Sequence, residues 1–577
     1  MQSTRNKAVP KRDEIDDRFK WKLEDVYAED EEWEKDFLKV SGLCSRMQEF
    51  KGTIGKSGDN LLNCLELRDV ILSLGDKLFV YARMRRDENN ANPVYQALTD
   101  RATALYVSLH AAISFIGPEI IALDENILSG FFKGTEKLHI YRHFIDDILR
   151  QKQHTLTQKE EELLALASEI SQAPSDIFSM LNNADIKFPS ILDENGEEVE
   201  LTKGRFIKFL ESEDRRVRKD AYEALYNVYG KFRNTFASSL SNSIRKDHFF
   251  AKARKYNSTL EASLSDDNIC GEVYDTLVET VNNNLHLFHR YMDIRRRAMG
   301  VEELYMYDLY VPVVKKPVRH ISYEEACSLV VKALEPLGGE YSDCLKRAFN
   351  SGWIDVYENE GKTSGAYSWG AYLTHPYVLL NYQGSIKDVF TIAHEMGHAM
   401  HTIYTNKTQP YVYSEYKTFV AEVASILNEF LLTDYLLKNS GSREEKVFLL
   451  NKYLEEFKGT LFRQTMFAEF EKMIHHEIEK GGALTSDILC SLYADLNKKY
   501  FGSRVVVDDK ICMEWARIPH FYTSFYVYKY ATGFSAAASL LKHIIEEGEG
   551  AVNRYIEFLS SGASDYPLEL LKKAGVD

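Results

Sequence analysis

Two histidines four residues apart, with a glutamate directly after the first, stand at His394-Glu395-Met396-Gly397-His398. On an α-helix residues i and i+4 share a face, so both imidazoles can reach one metal ion. The glutamate between them then lies beside that ion, where it can take a proton from a metal-bound water. The surroundings agree with a helix. Ser385 and Asp388 fit an N-cap and its carboxylate three residues on. Val389, Phe390, Ile392, Ala393, Met396, Ala399, Met400 and Ile403 recur at helical spacing. A helix over about 388–404 with a buried apolar face is predicted. A plain core helix carrying two satisfied histidines is the competing reading.

Two histidines make an incomplete site, because catalytic zinc ordinarily takes three protein ligands and keeps a position for water. A second helix is predicted over about 414–437, apolar at Phe419, Val420, Val423, Ile426, Leu427, Phe430 and Leu431. Across it runs a polar stripe of Glu415, Glu422, Ser425 and Glu429. Carboxylates on an otherwise apolar helix are costly unless something compensates them, and a dication does so well. Glu422 is the expected third ligand, with Glu429 behind it holding a ligand histidine by its other ring nitrogen. Glu415 reads equally well as part of a solvated face. His401 is a rival on the first helix, but three ligands from one straight helix would span about 10 Å, too far for bonds of about 2 Å to one ion. His401 is therefore expected to pack or to support. Zn²⁺ rather than manganese or cobalt follows from ligand type alone.

These stretches resemble a known family. His394 to His401, followed by Phe419-Val420-Ala421-Glu422-Val423-Ala424-Ser425, is similar to the M3 zinc metallopeptidases, nearest to the oligoendopeptidase F branch. The segments Ser364-Gly365-Ala366-Tyr367 and His375-Pro376-Tyr377-Val378-Leu379-Leu380-Asn381-Tyr382 resemble what precedes the zinc helix there. Ile518-Pro519-His520-Phe521-Tyr522, continuing through Phe525-Tyr526-Val527-Tyr528-Lys529-Tyr530, resembles the C-terminal His/Tyr segment, and Trp21 to Tyr27 the opening of the branch. The likeness covers nearly the whole chain. It implies a mainly α, two-lobed, multi-helical body with zinc in an internal channel that admits short peptides. It also implies His520 and Tyr528 as donors to the oxyanion of peptide hydrolysis, with Tyr526 and Tyr522 next, and Tyr522, Tyr526, Gly365, Ala366 and Tyr377 along the substrate.

The residues have readings of their own. Apart from Asn381, residues 377–382 are apolar, aromatic or β-branched between a proline and Gln383-Gly384, which predicts a strand. A free edge there would pair with an extended peptide through backbone hydrogen bonds. The phenols of 518–533 can donate to an oxyanion, and aromatics at this spacing also line cores; Tyr530 is assigned to the core or groove lining.

A net charge of −16 argues against a nucleic-acid binder. Basic runs such as Arg215 to Lys219 and Arg295 to Arg297 have acidic neighbours and read as solvated helix faces. Seven cysteines without a CxxC pair read as free thiols in a reducing compartment. Met1 to Arg18 is polar and has no apolar core of a secretory signal, and no run of about 18 apolar residues is found, so a cytoplasmic protein without a membrane span is expected.

Helical periodicity dominates, with two β exceptions. Ile186 to Leu201 carries Asn195-Gly196 between extended stretches, a hairpin signature, and residues 353–382 form a short β region. Three regions are expected: 1–115, helical; 116–202, a helical oligoendopeptidase F-type domain ending in the hairpin; 203–577, catalytic. The function expected is hydrolysis of internal bonds of short peptides by metal-activated water with Glu395 as general base. A zinc exopeptidase on a related scaffold and a non-catalytic peptide-binding protein stay open, as does the choice between monomer and homo-oligomer.

Overall fold

The computed structural model describes residues 9–314 and 319–577; the first eight residues of the polar N-terminus lie outside it. The chain is mainly helical, with seven short strands among the described residues: β1 (Ser190–Leu192), β2 (Glu198–Glu200), β3 (Leu304–Tyr305), β4 (Ile354–Asp355), β5 (Tyr367–Trp369), β6 (Tyr377–Leu379) and β7 (Val505–Val506). It forms two compact units. The first gathers Met1–Lys152, Val318–Asn439 and Ala536–Asp577, the second Gln153–Pro317 and Ser440–Ser535.

In the first unit, helices Asp30–Met47, Gly58–Glu88 and Pro93–Ile113 enclose Trp33, Val40, Leu65, Leu78, Leu105 and Leu109. Gly75 permits the close approach of the last two, since a Cβ there would lie 2.6 Å from the Leu109 side chain. Residues 93–122 are long and apolar enough to cross a membrane by length and composition, a stretch that the apolar-run criterion passed over. It is interrupted between Ile113 and Ile116, and Leu98, Ala102, Leu105 and Leu109 along it are buried. The opening Trp21 is anchored by its indole N–H to Glu88 at 2.7 Å, and Arg12 bridges Glu88 and Asp355.

The expected β region is a three-stranded sheet in the order β4-β6-β5. This corrects one expectation. β6, the strand predicted at 377–382, is central, parallel to β4 and antiparallel to β5, so both of its edges are taken. The edge strand on that side is β5. Tyr377 is fully buried, its hydroxyl donating to Lys22 O at 3.0 Å and its ring edge-on to Trp21. It belongs to the core and cannot line a peptide.

The second unit holds the predicted hairpin, β1 pairing antiparallel with β2. Asp193 accepts the N–H groups of Asn195 and Glu197, and Gly196 takes the left-handed φ of +79° that the turn needs. Its helices Arg233–Ala253, Arg463–Glu479 and Ser486–Phe501 surround Phe467, Phe470, Tyr493, Trp515 and Phe521. All seven cysteines are free.

Candidate metal centre

The first predicted helix spans Ile386–Thr408. Its start is the capping box expected from Ser385 and Asp388: the Ser385 N–H and Oγ both donate to Asp388 Oδ2, at 2.8 and 2.7 Å. The following helix is Thr418–Asn439, starting four residues later than predicted; residues 414–417 are non-helical and follow a separate 3-10 turn at Tyr411–Tyr413. Glu415 therefore lies ahead of the helix and is exposed, off the polar stripe.

These two helices meet at Gly397. A Cβ there would lie 2.5 Å from Ser425 Cα and 2.7 Å from Ala424 O, so no larger residue fits this crossing. The junction is fixed by Asn428, fully buried, whose amide donates to Ala393 O at 3.0 Å and accepts from Tyr341 at 3.0 Å.

The crossing brings three donors together. His394 Nε2 and His398 Nε2 lie 3.4 and 3.5 Å from Glu422 Oε2. The donor atoms of His394, His398 and Glu422 all fall within 4.8 Å of one another. With bonds of about 2.0–2.2 Å, the edge of a tetrahedral zinc site is about 3.3–3.5 Å. Two imidazole nitrogens and a carboxylate oxygen at these separations fit that ion. Glu429 Oε1 accepts from His394 Nδ1 at 2.7 Å, which points Nε2 at the site as the nitrogen that would exchange its proton for a metal. Ser425, fully buried, donates to Glu422 Oε2 at 2.9 Å.

The electrostatics favour a cation. Burial pulls the His394 imidazole down, but its bond to Glu429, with Glu395 and Glu422 adding charge, lifts it to about 9. Burial works against the Glu422 carboxylate, yet His398, His394 and Ser425 hold it down at about 2. Three carboxylates face two imidazoles, an excess of negative charge that a dication balances. Glu395 is 7% exposed, and burial raises its carboxyl even though both histidines pull it down.

His401 stands apart from the three donors. Its ring stacks on Tyr416 at 3.7 Å, nearly parallel, with Phe558 beyond, and burial drives it to about 3. It is a neutral packing residue. Beside the metal helix, strand β5 borders a cavity of about 450 Å³ whose lining includes Ser368, Trp369, Thr402, Asn406 and Tyr416. Gly365 and Ala366 lead into β5; Gly365 is exposed, has a left-handed φ of +88°, and accepts from Asn381 Nδ2 at 2.9 Å.

The His/Tyr segment lies in the second unit. There His520 and Tyr526 stack in parallel at 6.0 Å, and Tyr530 stands perpendicular to both, 6.1 Å from His520 and 5.4 Å from Tyr526. All three are half-buried. Tyr528, expected as the donor, is fully buried against Tyr274. Tyr530, expected in the core or lining a groove, is half-buried and stands in the cluster with His520. The reason is helical phase: the helix Tyr528–Glu547 begins at Tyr528, turning that residue inwards and Tyr530 outwards. Tyr522 stacks on Phe178 at 4.4 Å. Sequence reading passed over Gly397, although a glycine in mid-helix is a visible sign of close packing, and it named Asn428 nowhere.

The comparisons with known proteins agree over the whole chain. The profile of Peptidase family M3 matches residues 208–577, and that of Oligopeptidase F residues 119–188. Oligopeptidase PepF of Bacillus subtilis is 48% identical over 569 residues, covering 99% of this chain and 85% of that protein. Group B oligopeptidase PepB of Streptococcus agalactiae is 42% identical, covering 98% of this chain and 94% of the relative. The crystal structure of oligoendopeptidase-F from Enterococcus faecium superposes with a TM-score of 0.74 at 41% identity, covering 95% of this chain and 94% of that one.

Proposed function

Because the chain belongs to peptidase family M3, in its oligopeptidase F branch, we propose that it is a zinc-dependent endopeptidase of short oligopeptides in which Glu395 is the general base. The observation that carries this reading is the convergence of His394, His398 and Glu422 on one point, with Glu395 on the same helix turn. These three residues would hold Zn²⁺. Bound there, zinc supplies a Lewis acid that lowers the pKa of a water towards about 7 and polarises a carbonyl.

The chain supplies the rest. Glu395 takes the proton from the attacking water and passes it to the leaving amine; its burial, which raises its carboxyl, suits it to hold a proton between the two steps. Glu429 fixes the His394 ring by its Nδ1–H, and Ser425 fixes the Glu422 carboxylate. We assign donation to the developing oxyanion to His520 with Tyr526 or Tyr530, which are half-buried where Tyr528 is fully buried. The outer edge of β5, approached through Gly365 and Ala366, would hold an extended peptide by its backbone, a mode that reads side chains little. Seven free thiols accord with a cytoplasmic enzyme.

The test is digestion of peptides of graded length, blocked at both ends, with and without a chelator, the products read by mass. Internal cleavage that stops with the chelator and returns with zinc is expected. Cleavage confined to peptides with a free terminus would make the protein an exopeptidase. Chelator-insensitive binding without products would make it a peptide-binding protein.

A further inference from the structure

Buried carboxylates among the described residues are paired with cations, as Asp308 is with Arg218, Asp355 with Arg12 and Lys362, and Glu514 with Arg463 and Arg517. Two are not. One is Glu395, already placed in the chemistry. The other is Glu471, on the helix Arg463–Glu479 of the second unit, 1% exposed and facing no cation. A carboxyl buried without a counter-charge, with the like-charged Asp247 as its neighbour, is expensive to keep, which asks for a role.

Its one hydrogen bond points to the role. Glu471 Oε1 accepts the backbone N–H of Phe525 at 2.7 Å, and Oε2 has no partner. Phe525 has a left-handed φ of +55°, a conformation that bulky residues rarely adopt. Strained backbone of this kind persists only where its surroundings overdetermine it. Here the ring is clamped between Tyr274, edge-on at 5.7 Å, and His475, at 4.5 Å and one helical turn beyond Glu471. The next residue is Tyr526, whose ring lies parallel to His520.

We propose that Glu471 is a positioning residue of the peptidase: by accepting the Phe525 N–H it holds the left-handed turn that aims Tyr526 at the face shared with His520 and Tyr530. The proposal rests on reading that face as the oxyanion donor. Without the acceptor, the Phe525 N–H is buried and unpaired, the backbone relaxes to negative φ, and Tyr526 swings away. Donors that act in the transition state then fail while substrate still binds, so kcat falls and KM holds.

The test compares Glu471→Gln, which keeps the carbonyl acceptor, with Glu471→Leu, which matches its bulk without one. Glu471→Gln is expected to retain kcat within threefold, and Glu471→Leu to lose at least thirtyfold at unchanged KM and zinc content. Hydrogen exchange read by mass over residues 521–527 gives an activity-free readout: protection is expected to drop in Glu471→Leu and to persist in Glu471→Gln. Unchanged exchange in Glu471→Leu overturns the positioning role, as does a loss of kcat beyond tenfold in Glu471→Gln, the variant that decides if the leucine form does not fold. His520→Ala and Tyr526→Phe separate the two ideas: wild-type kcat in both sinks the donor reading, while the exchange result still judges Glu471.

Discussion

Gly397 and Ser425 touch backbone to backbone where the two metal helices cross, with 2.5 Å between the site of a Gly397 Cβ and Ser425 Cα. Gly397 sits between His394 and His398, and Ser425 one turn after Glu422. The closeness of this one contact decides whether three donors on two helices can share an ion. Replacing Gly397 with alanine must push the helices apart. We expect Gly397→Ala to destabilise the protein by about 1–3 kcal/mol, the usual range for overpacking, and to lower its zinc content as purified. Thermal unfolding and metal analysis on the same preparation check this; full metal and an unchanged Tm would show that the crossing has slack.

Glu395→Gln preserves shape and removes the proposed base. The variant is expected to bind zinc as the parent does and to lose roughly 10²- to 10⁴-fold in kcat. A quenched-peptide assay beside metal analysis measures both, and retention of most activity would move the general base elsewhere.

Metal retention should follow the chain of contacts outward. Glu422→Ala removes a proposed ligand and is expected to purify with little zinc. Ser425→Ala and Glu429→Gln each loosen a ligand without deleting it, and a loss of about 10- to 100-fold in zinc affinity is expected for each. Competition with a chromophoric chelator reads all three. Full zinc in Glu422→Ala would reopen the claim of His401, which the stack on Tyr416 now argues against.

Acid should unfold the second unit through Glu514. Burial works against this carboxylate, but Arg463 at 2.7 Å and Arg517 at 2.9 Å hold it at about 2, below the ordinary 4.5. A folded carboxyl held below its unfolded value contributes stability that is complete above pH 4.5 and drains away as pH falls towards 2. Glu514→Gln is expected to cost about 3–5 kcal/mol at neutral pH, because two arginines stay buried without their counter-charge, and to flatten the stability curve between pH 4.5 and 2. Denaturant melts at graded pH test it; parallel curves for the two proteins would contradict the assignment.

The metal helix was legible from its own residues. Its cap, its apolar face and its two histidines are all encoded within one stretch of chain, and Ser385 and Asp388 form the bonds that their spacing requires. The hairpin at Asn195-Gly196 is local in the same sense. The His/Tyr segment was less so. Four tyrosines within nine residues look alike in sequence, and the one turned inwards, Tyr528, is chosen by the phase of a helix and by Tyr274, which lies far away along the chain.

By itself, then, the sequence determined what depends on neighbours within a few turns: two helices, their polar stripe, and the kinds of donor that a zinc peptidase uses. Tertiary structure alone decided which strand keeps a free edge, which tyrosines stand beside His520, and how near Gly397 lets Glu422 come. Those outcomes depend on pairing and packing between segments remote in the chain, for which periodicity carries no signal. The middle place of β6 between β4 and β5, unreadable from residues 377–382, is the plainest instance.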